Sequence, residues 1–160
     1  MNIGIIVYSQ TGNTLEVARR LKEKLEKSGH AATVEQVTII GEAPPRTKTV
    51  QLQHTPDAAP YDAIIFGAPV HAFALSPVME AYLQQVPSFQ GKTIACFVTK
   101  QLPFGWTGGN QALGKMKRLC ETRGPKVSAT EIIFWSKGRR EKSINKSLES
   151  LNSCLQDHRV

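Results

Sequence analysis

Five apolar runs recur along this chain at the spacing of one strand–helix unit, and that recurrence restricts the fold more than any other feature. They are Asn2–Tyr8, Ala32–Ile39, Ala63–Phe66, Thr93–Thr99 and Val127–Phe134, with starts 30, 31, 30 and 34 residues apart. A strand, a crossover helix and the return to a parallel strand take about 30 residues. The first, third and fourth runs are nearly continuous in apolar residues, as strands covered on both faces must be. Helix punctuation fills the intervals. The first helix is expected from about Thr14 to Lys27, with Asn13 and Glu16 as a capping-box pair and Gly29 as its stop. Another opens at Ser76-Pro77, N-cap then N1, with Val78, Met79, Tyr82 and Leu83 on one stripe. Ala112, Leu113, Met116, Leu119 and Cys120 mark a further helix that ends at Gly124, and Ile144, Leu148, Leu151 and Leu155 mark the last. The second crossover breaks the pattern. Pro44, Pro45, Pro56 and Pro60 exclude a stable helix, so an irregular connection with a short extended piece at Val50-Gln51-Leu52 is expected. The fold class that follows is α/β: a doubly wound five-stranded parallel sheet of order 2-1-3-4-5, with ligands at the carboxyl edge where the order reverses.

The loop after the first run, Ser9-Gln10-Thr11-Gly12-Asn13-Thr14, sits where a helix begins. Unpaired backbone N–H groups point outward there and the helix dipole adds partial positive charge, which together cradle a phosphate. Ser9, Thr11 and Thr14 bring hydroxyl donors, and Gly12 lets the backbone close around the anion. The loop has no Lys or Arg, so dipoles rather than a counter-charge would hold the anion. The loop after the third run reads Gly67-Ala68-Pro69-Val70-His71-Ala72-Phe73. The loop after the fourth runs from Thr99-Lys100-Gln101 through Gly105-Trp106-Thr107 to Gly108-Gly109-Asn110. Small residues and proline let a backbone approach a flat ligand. Two such loops beside a phosphate cradle suit a planar heterocycle with a phosphorylated tail.

The three loops resemble those of the flavodoxin family: [ST]-x-T-G-x-T after the first strand, Gly-x-Pro after the third and Gly-Trp-x-Gly-Gly after the fourth. The resemblance runs from Ile3 to about Leu155 and implies a flavodoxin-like fold with FMN as cofactor. It places Ser9, Gln10, Thr11, Gly12, Asn13 and Thr14 at the phosphate. Around the isoalloxazine ring it places Ala68, Pro69, Val70, His71 and Phe73 from one loop, and Thr99, Lys100, Trp106, Gly108 and Gly109 from the other. Trp106 reads as stacking on the ring rather than covering the core from its loop; Phe73 reads equally either way. His71 has the ordinary pKa of about 6.5 that suits proton exchange, yet a lone histidine reads first as a surface or backbone-bonding group, so no catalytic residue is assigned. The chain departs from the family in two respects. The second crossover lacks its helix, and the three ligand loops contain no Asp or Glu, whereas the family's electron carriers are usually acidic around the flavin.

A chain of 160 residues suffices for one domain with a full core, and a single domain over residues 1–160 is expected. The net charge of +7 is uneven: residues 1–109 hold 9 Lys/Arg against 8 Asp/Glu, residues 110–160 hold 11 against 5. That asymmetry suits a redox partner with an acidic docking face, although solvated surfaces explain it equally, with Lys115, Lys117 and Arg118 expected on a helix and Lys137 to Lys142 expected as a loop. No nucleic-acid module pattern accompanies the charge, so no nucleic-acid partner is expected. No apolar run approaches the roughly 18 residues of a membrane helix. Cys96, Cys120 and Cys154 are widely spaced and read as small core hydrophobes in a reduced, cytoplasmic protein. Gly109 to Met116 nearly matches G-x-x-x-x-G-K-[ST], but Met116 cannot serve as the oxygen ligand that Mg²⁺ requires. No G-x-G-x-x-G follows any strand, which argues against a tightly held NAD(P). The function expected is FMN-based electron transfer between redox partners. The alternative is an FMN-dependent NAD(P)H oxidoreductase acting on a quinone or other small acceptor. A binding module that has lost its cofactor is disfavoured by the intact phosphate loop.

Overall fold

A computed structural model describes residues 1–44, 47–101 and 108–156. In chain order the elements are β1 (Asn2–Val7), α1 (Asn13–Lys27), β2 (Ala31–Gln36), β3 (Thr38–Ile39), β4 (Leu52–His54), β5 (Ala63–His71), β6 (Ala74–Leu75), α2 (Pro77–Gln85), β7 (Thr93–Lys100), α3 (Gly109–Glu121), β8 (Val127–Phe134) and α4 (Arg140–Gln156). The central sheet has the order β2-β1-β5-β7-β8 with every neighbouring pair parallel, the order expected from the spacing of the runs.

Alternation along the strands divides the core into two layers. Ile3, Ile5 and Val7 of β1, Ala63 and Ile65 of β5, and Ala95 and Phe97 of β7 face the apolar stripes of α1 and α4. Ile6, Ile64, Phe66, Ile94, Cys96 and Val98 face those of α2 and α3. Both faces are therefore sealed, which explains why the middle strands read as unbroken apolar runs. Gly67 makes this possible inside β5: a Cβ there would lie 2.2 Å from Cζ of Phe97, so the strand must be bare where that ring crosses it.

Four local expectations are corrected. The second apolar run does not form one strand. The Val37 amide donates to the Val7 carbonyl at 2.8 Å, after which Thr38–Ile39 turns away and pairs antiparallel with β4, making a two-stranded sheet of the proline-rich crossover. The third strand runs on to His71 rather than stopping at Phe66, because Gly67, Ala68 and Pro69 stay in register with Phe97, Val98 and Thr99. It then folds back as β6, with Val70 opposite Leu75 and His71 opposite Ala74. The capping box of Asn13 and Glu16 does not form. Gly12 is the N-cap, left-handed at φ 96, Asn13 is already helical, and the Leu15 amide donates instead to Ser9 Oγ at 3.2 Å. Finally, α4 starts at Arg140, so only part of the basic Lys137–Lys142 segment is loop. Cys96 and Cys120 are buried and Cys154 is half-buried, all three as free thiols. No helix among the described residues is long and apolar enough to cross a membrane.

Candidate functional site

The carboxyl ends of β1, β5 and β7 bring the three sequence loops to one edge of the sheet. A cavity of about 150 Å³ opens there. Gln10, Thr11 and Asn13 line it from the first loop, Pro69, Val70 and His71 from the end of β5, and Thr99 and Lys100 from the end of β7. Gln101, just past the end of β7, completes the lining.

The first loop is built as a cradle. Gln10, Thr11 and Gly12 are exposed, Ser9 and Asn13 half-buried. A Cβ added at Gly12 would meet nothing within 4 Å, so the space over the loop is open. The first amides of α1 face that space, where an anion meets both unpaired donors and the positive end of the helix dipole. Thr14 lies beneath. It is 1 % exposed, and its hydroxyl is 2.9 Å from that of Thr99, tying the start of α1 to the end of β7.

Other predicted site residues serve the cavity less directly. Ala68 points into the core and offers only backbone. Phe73 stands at the tip of the β5–β6 hairpin, 52 % exposed and outside the cavity lining. Gly108, left-handed at φ 100, lets that tip rest on the start of α3: a Cβ at Gly108 would lie 2.3 Å from the Phe73 Cα. Gly109 closes against Ile132 and the stem of Lys100, 3.0 and 3.3 Å from where its Cβ would be. Both glycines thus permit close contact between elements. Trp106, read as the stacking aromatic, lies outside the described residues.

The two ionisable groups of the cavity are both affected by burial. His71 has a buried Nδ1 with no hydrogen-bond partner among the described residues, and its ring meets that of Tyr8 edge-on at 6.5 Å. Loss of water pushes its pKa below 6.5, so the imidazole is neutral at pH 7. Lys100 is only 5 % exposed, and burial likewise pulls its pKa below the usual lysine value. Its ammonium lies 5.6 Å from the centroid of the Phe134 ring, so the charge is directed towards β8. A larger cleft of about 490 Å³, between the Thr55–Ala59 segment and Tyr82–Gln90, lies at the amino edge of the sheet, where the strands present no phosphate loop.

Comparison with known proteins agrees with this arrangement. The family description Flavodoxin domain matches residues 4–103. No curated protein matches by sequence. Among solved structures, flavodoxin 1 of Bacillus cereus superposes with a TM-score of 0.70 at 18% identity, covering 100% of both chains. The flavodoxin of Streptococcus pneumonia TIGR4 gives 0.67 at 17% identity, with 96% of this chain and 99% of that one covered. The rubredoxin oxygen:oxidoreductase of Desulfovibrio gigas gives 0.66 at 13% identity, where 98% of this chain covers 36% of the larger protein.

Proposed function

Since the chain belongs to the flavodoxin domain family, with FMN as its cofactor, we propose that it carries electrons between redox partners through FMN held at the carboxyl edge of the sheet. The observation that supports this reading most is the open, cation-free cradle at the start of α1, which matches a phosphate held by backbone dipoles. Bound FMN supplies the one- and two-electron chemistry, while the protein sets its orientation and surroundings.

In this reading Ser9, Gln10, Thr11, Gly12, Asn13 and Thr14 hold the phosphate. Pro69, Val70, His71, Thr99 and Lys100 border the ring, with Gly108 and Gly109 closing the wall behind Lys100 and Phe73 near the rim. Trp106 is the proposed stacking residue. Neutral His71 offers one N–H donor to the ring without adding charge. The free thiols of Cys96, Cys120 and Cys154 suit a reducing, cytoplasmic setting. A second reading, an FMN-dependent NAD(P)H oxidoreductase acting on a quinone or other small acceptor, is supported by a cavity whose described lining residues include Lys100 and His71 and no carboxylate.

Two measurements test these readings. FMN should bind far more tightly than riboflavin, which lacks the phosphate; equal affinity would remove the role of the first loop. Anaerobic addition of NADH or NADPH then separates carrier from reductase: a carrier's flavin stays oxidised until a reduced protein donor is supplied.

A further inference from the structure

A second concave site lies between the outer strand β8 and the first turns of α4. It encloses about 440 Å³, within the roughly 300–1,000 Å³ of small-molecule sites. Arg139, Lys142 and Lys146 line it from one side, with Phe134 and Glu131 of β8 opposite.

The charges of α4 are sorted by face. Its carboxylates turn towards α1, where Glu141 meets Arg20 at 2.9 Å and Glu149 meets Lys24. Lys142 and Lys146 face the cleft instead, and among the described residues neither joins an ion pair within 4.0 Å. Four residues apart on one helix, they repel one another. Glu131 is the one acid among the described lining residues, and its carboxylate accepts a hydrogen bond from Ser147 Oγ at 3.1 Å. Arg139 is anchored on the β8 side: its guanidinium lies 4.6 Å from the centroid of Phe134, a cation–π contact. The ammonium of Lys100, which lines the flavin cavity, lies 5.6 Å from the same ring. One ring, Phe134, is thus approached by a cation of each site.

We propose that the β8–α4 cleft binds the phosphates of a pyridine dinucleotide, with Lys142 and Lys146 as point charges and Arg139 as an oriented guanidinium. A concave site with excess cations and an aromatic wall fits a phosphorylated nucleotide better than it fits a broad acidic protein face. Two lysines without acidic partners favour the donor that carries the extra 2′-phosphate. That this nucleotide is a hydride donor rests on the second reading above, the NAD(P)H oxidoreductase with FMN in the neighbouring cavity; its binding in the cleft does not.

The test is calorimetric titration of the protein as purified with adenosine 2′,5′-bisphosphate, which has no redox chemistry. Saturable one-to-one binding is expected. The double variant Lys142→Gln, Lys146→Gln should weaken it by about tenfold or more, the scale of losing hydrogen bonds to charged groups. Glu131→Gln should tighten it by removing the opposing charge, and 5′-AMP should bind more weakly than the bisphosphate. FMN affinity, measured separately, should be unchanged in all variants, so failure of the cofactor reading and failure of this one are distinguishable. Absence of binding up to millimolar bisphosphate, or binding indifferent to both lysines, overturns the proposal. So does binding of polyglutamate that depends on both lysines while the bisphosphate does not bind, because the face then docks an acidic protein.

Discussion

Thr14 has one hydroxyl and two places to use it. Its oxygen lies 2.9 Å from that of Thr99, and a hydroxyl both donates once and accepts. With Thr99 as the donor, the Thr14 proton would be left for the phosphate of the proposed FMN site. Thr14→Ala should therefore weaken FMN by about 1–3 kcal/mol, read by quenching of flavin fluorescence, and Thr14→Ser should restore most of the affinity. An unchanged dissociation constant would remove the hydroxyl from the site. Gly67 is constrained for a different reason, since its missing Cβ leaves room for Phe97. Gly67→Ala should lower the urea midpoint by an amount equivalent to about 1–3 kcal/mol, the usual cost of overpacking. His71 gives a pH signature. Its folded pKa lies below the unfolded 6.5, so as pH falls from that value the unfolded chain takes up a proton that the folded one refuses. Stability should then fall until the folded pKa is passed, and show no contribution from this group above pH 6.5. His71→Gln should flatten that slope in urea midpoints measured from acid to neutral pH.

The β5–β6 hairpin shows which parts of an element can be read from local sequence. Ala72 and Phe73 occupy its turn with φ of 45° and 65°, a conformation in which Asn-Gly is the favoured pair. Ala72→Asn with Phe73→Gly should stabilise the chain by about 1 kcal/mol, or roughly 2–4 °C in melting temperature; no gain would mean that Phe73 makes a contact worth the strain. No turn signal marked this hairpin, and Gly67-Ala68-Pro69 carries the letters of a loop, so the extension of β5 to His71 was hidden. What continues the strand is pairing with Phe97–Thr99, a partner some 30 residues away that local pattern cannot see. The helix stripes were legible because 3.6-residue periodicity is local, and Val78, Met79, Tyr82 and Leu83 are all buried as that pattern requires. The site divides in the same way. The start of α1 carries the pattern of a phosphate cradle in consecutive residues, whereas the close approach of a hairpin tip and of Lys100 to α3 that Gly108 and Gly109 permit depends on distant segments. The approach of Lys100 and Arg139 to the one ring of Phe134 left no trace in sequence, because three separate segments meet there.

At the scale of the molecule, the net charge of +7 is arranged rather than spread. Glu141 and Glu149 of α4 face α1 while Lys142 and Lys146 face β8, so this pair of cations, with Arg139, stands beside the carboxyl edge of the sheet. Such a field attracts an anionic partner from a distance and orients its approach, an effect on association rate more than on affinity. It acts through solvent and is screened beyond about 10 Å at 0.1 M salt. Electron exchange with an acidic partner protein should therefore slow steadily as ionic strength rises, while exchange with a neutral small acceptor stays nearly constant. Lys142→Gln with Lys146→Gln should reduce the salt slope for the acidic partner without changing the rate at high salt. Stopped-flow rates for both acceptors across a salt series make the comparison. A rate with the acidic partner that stays flat or rises with salt would show that the basic face is only a solvated helix surface.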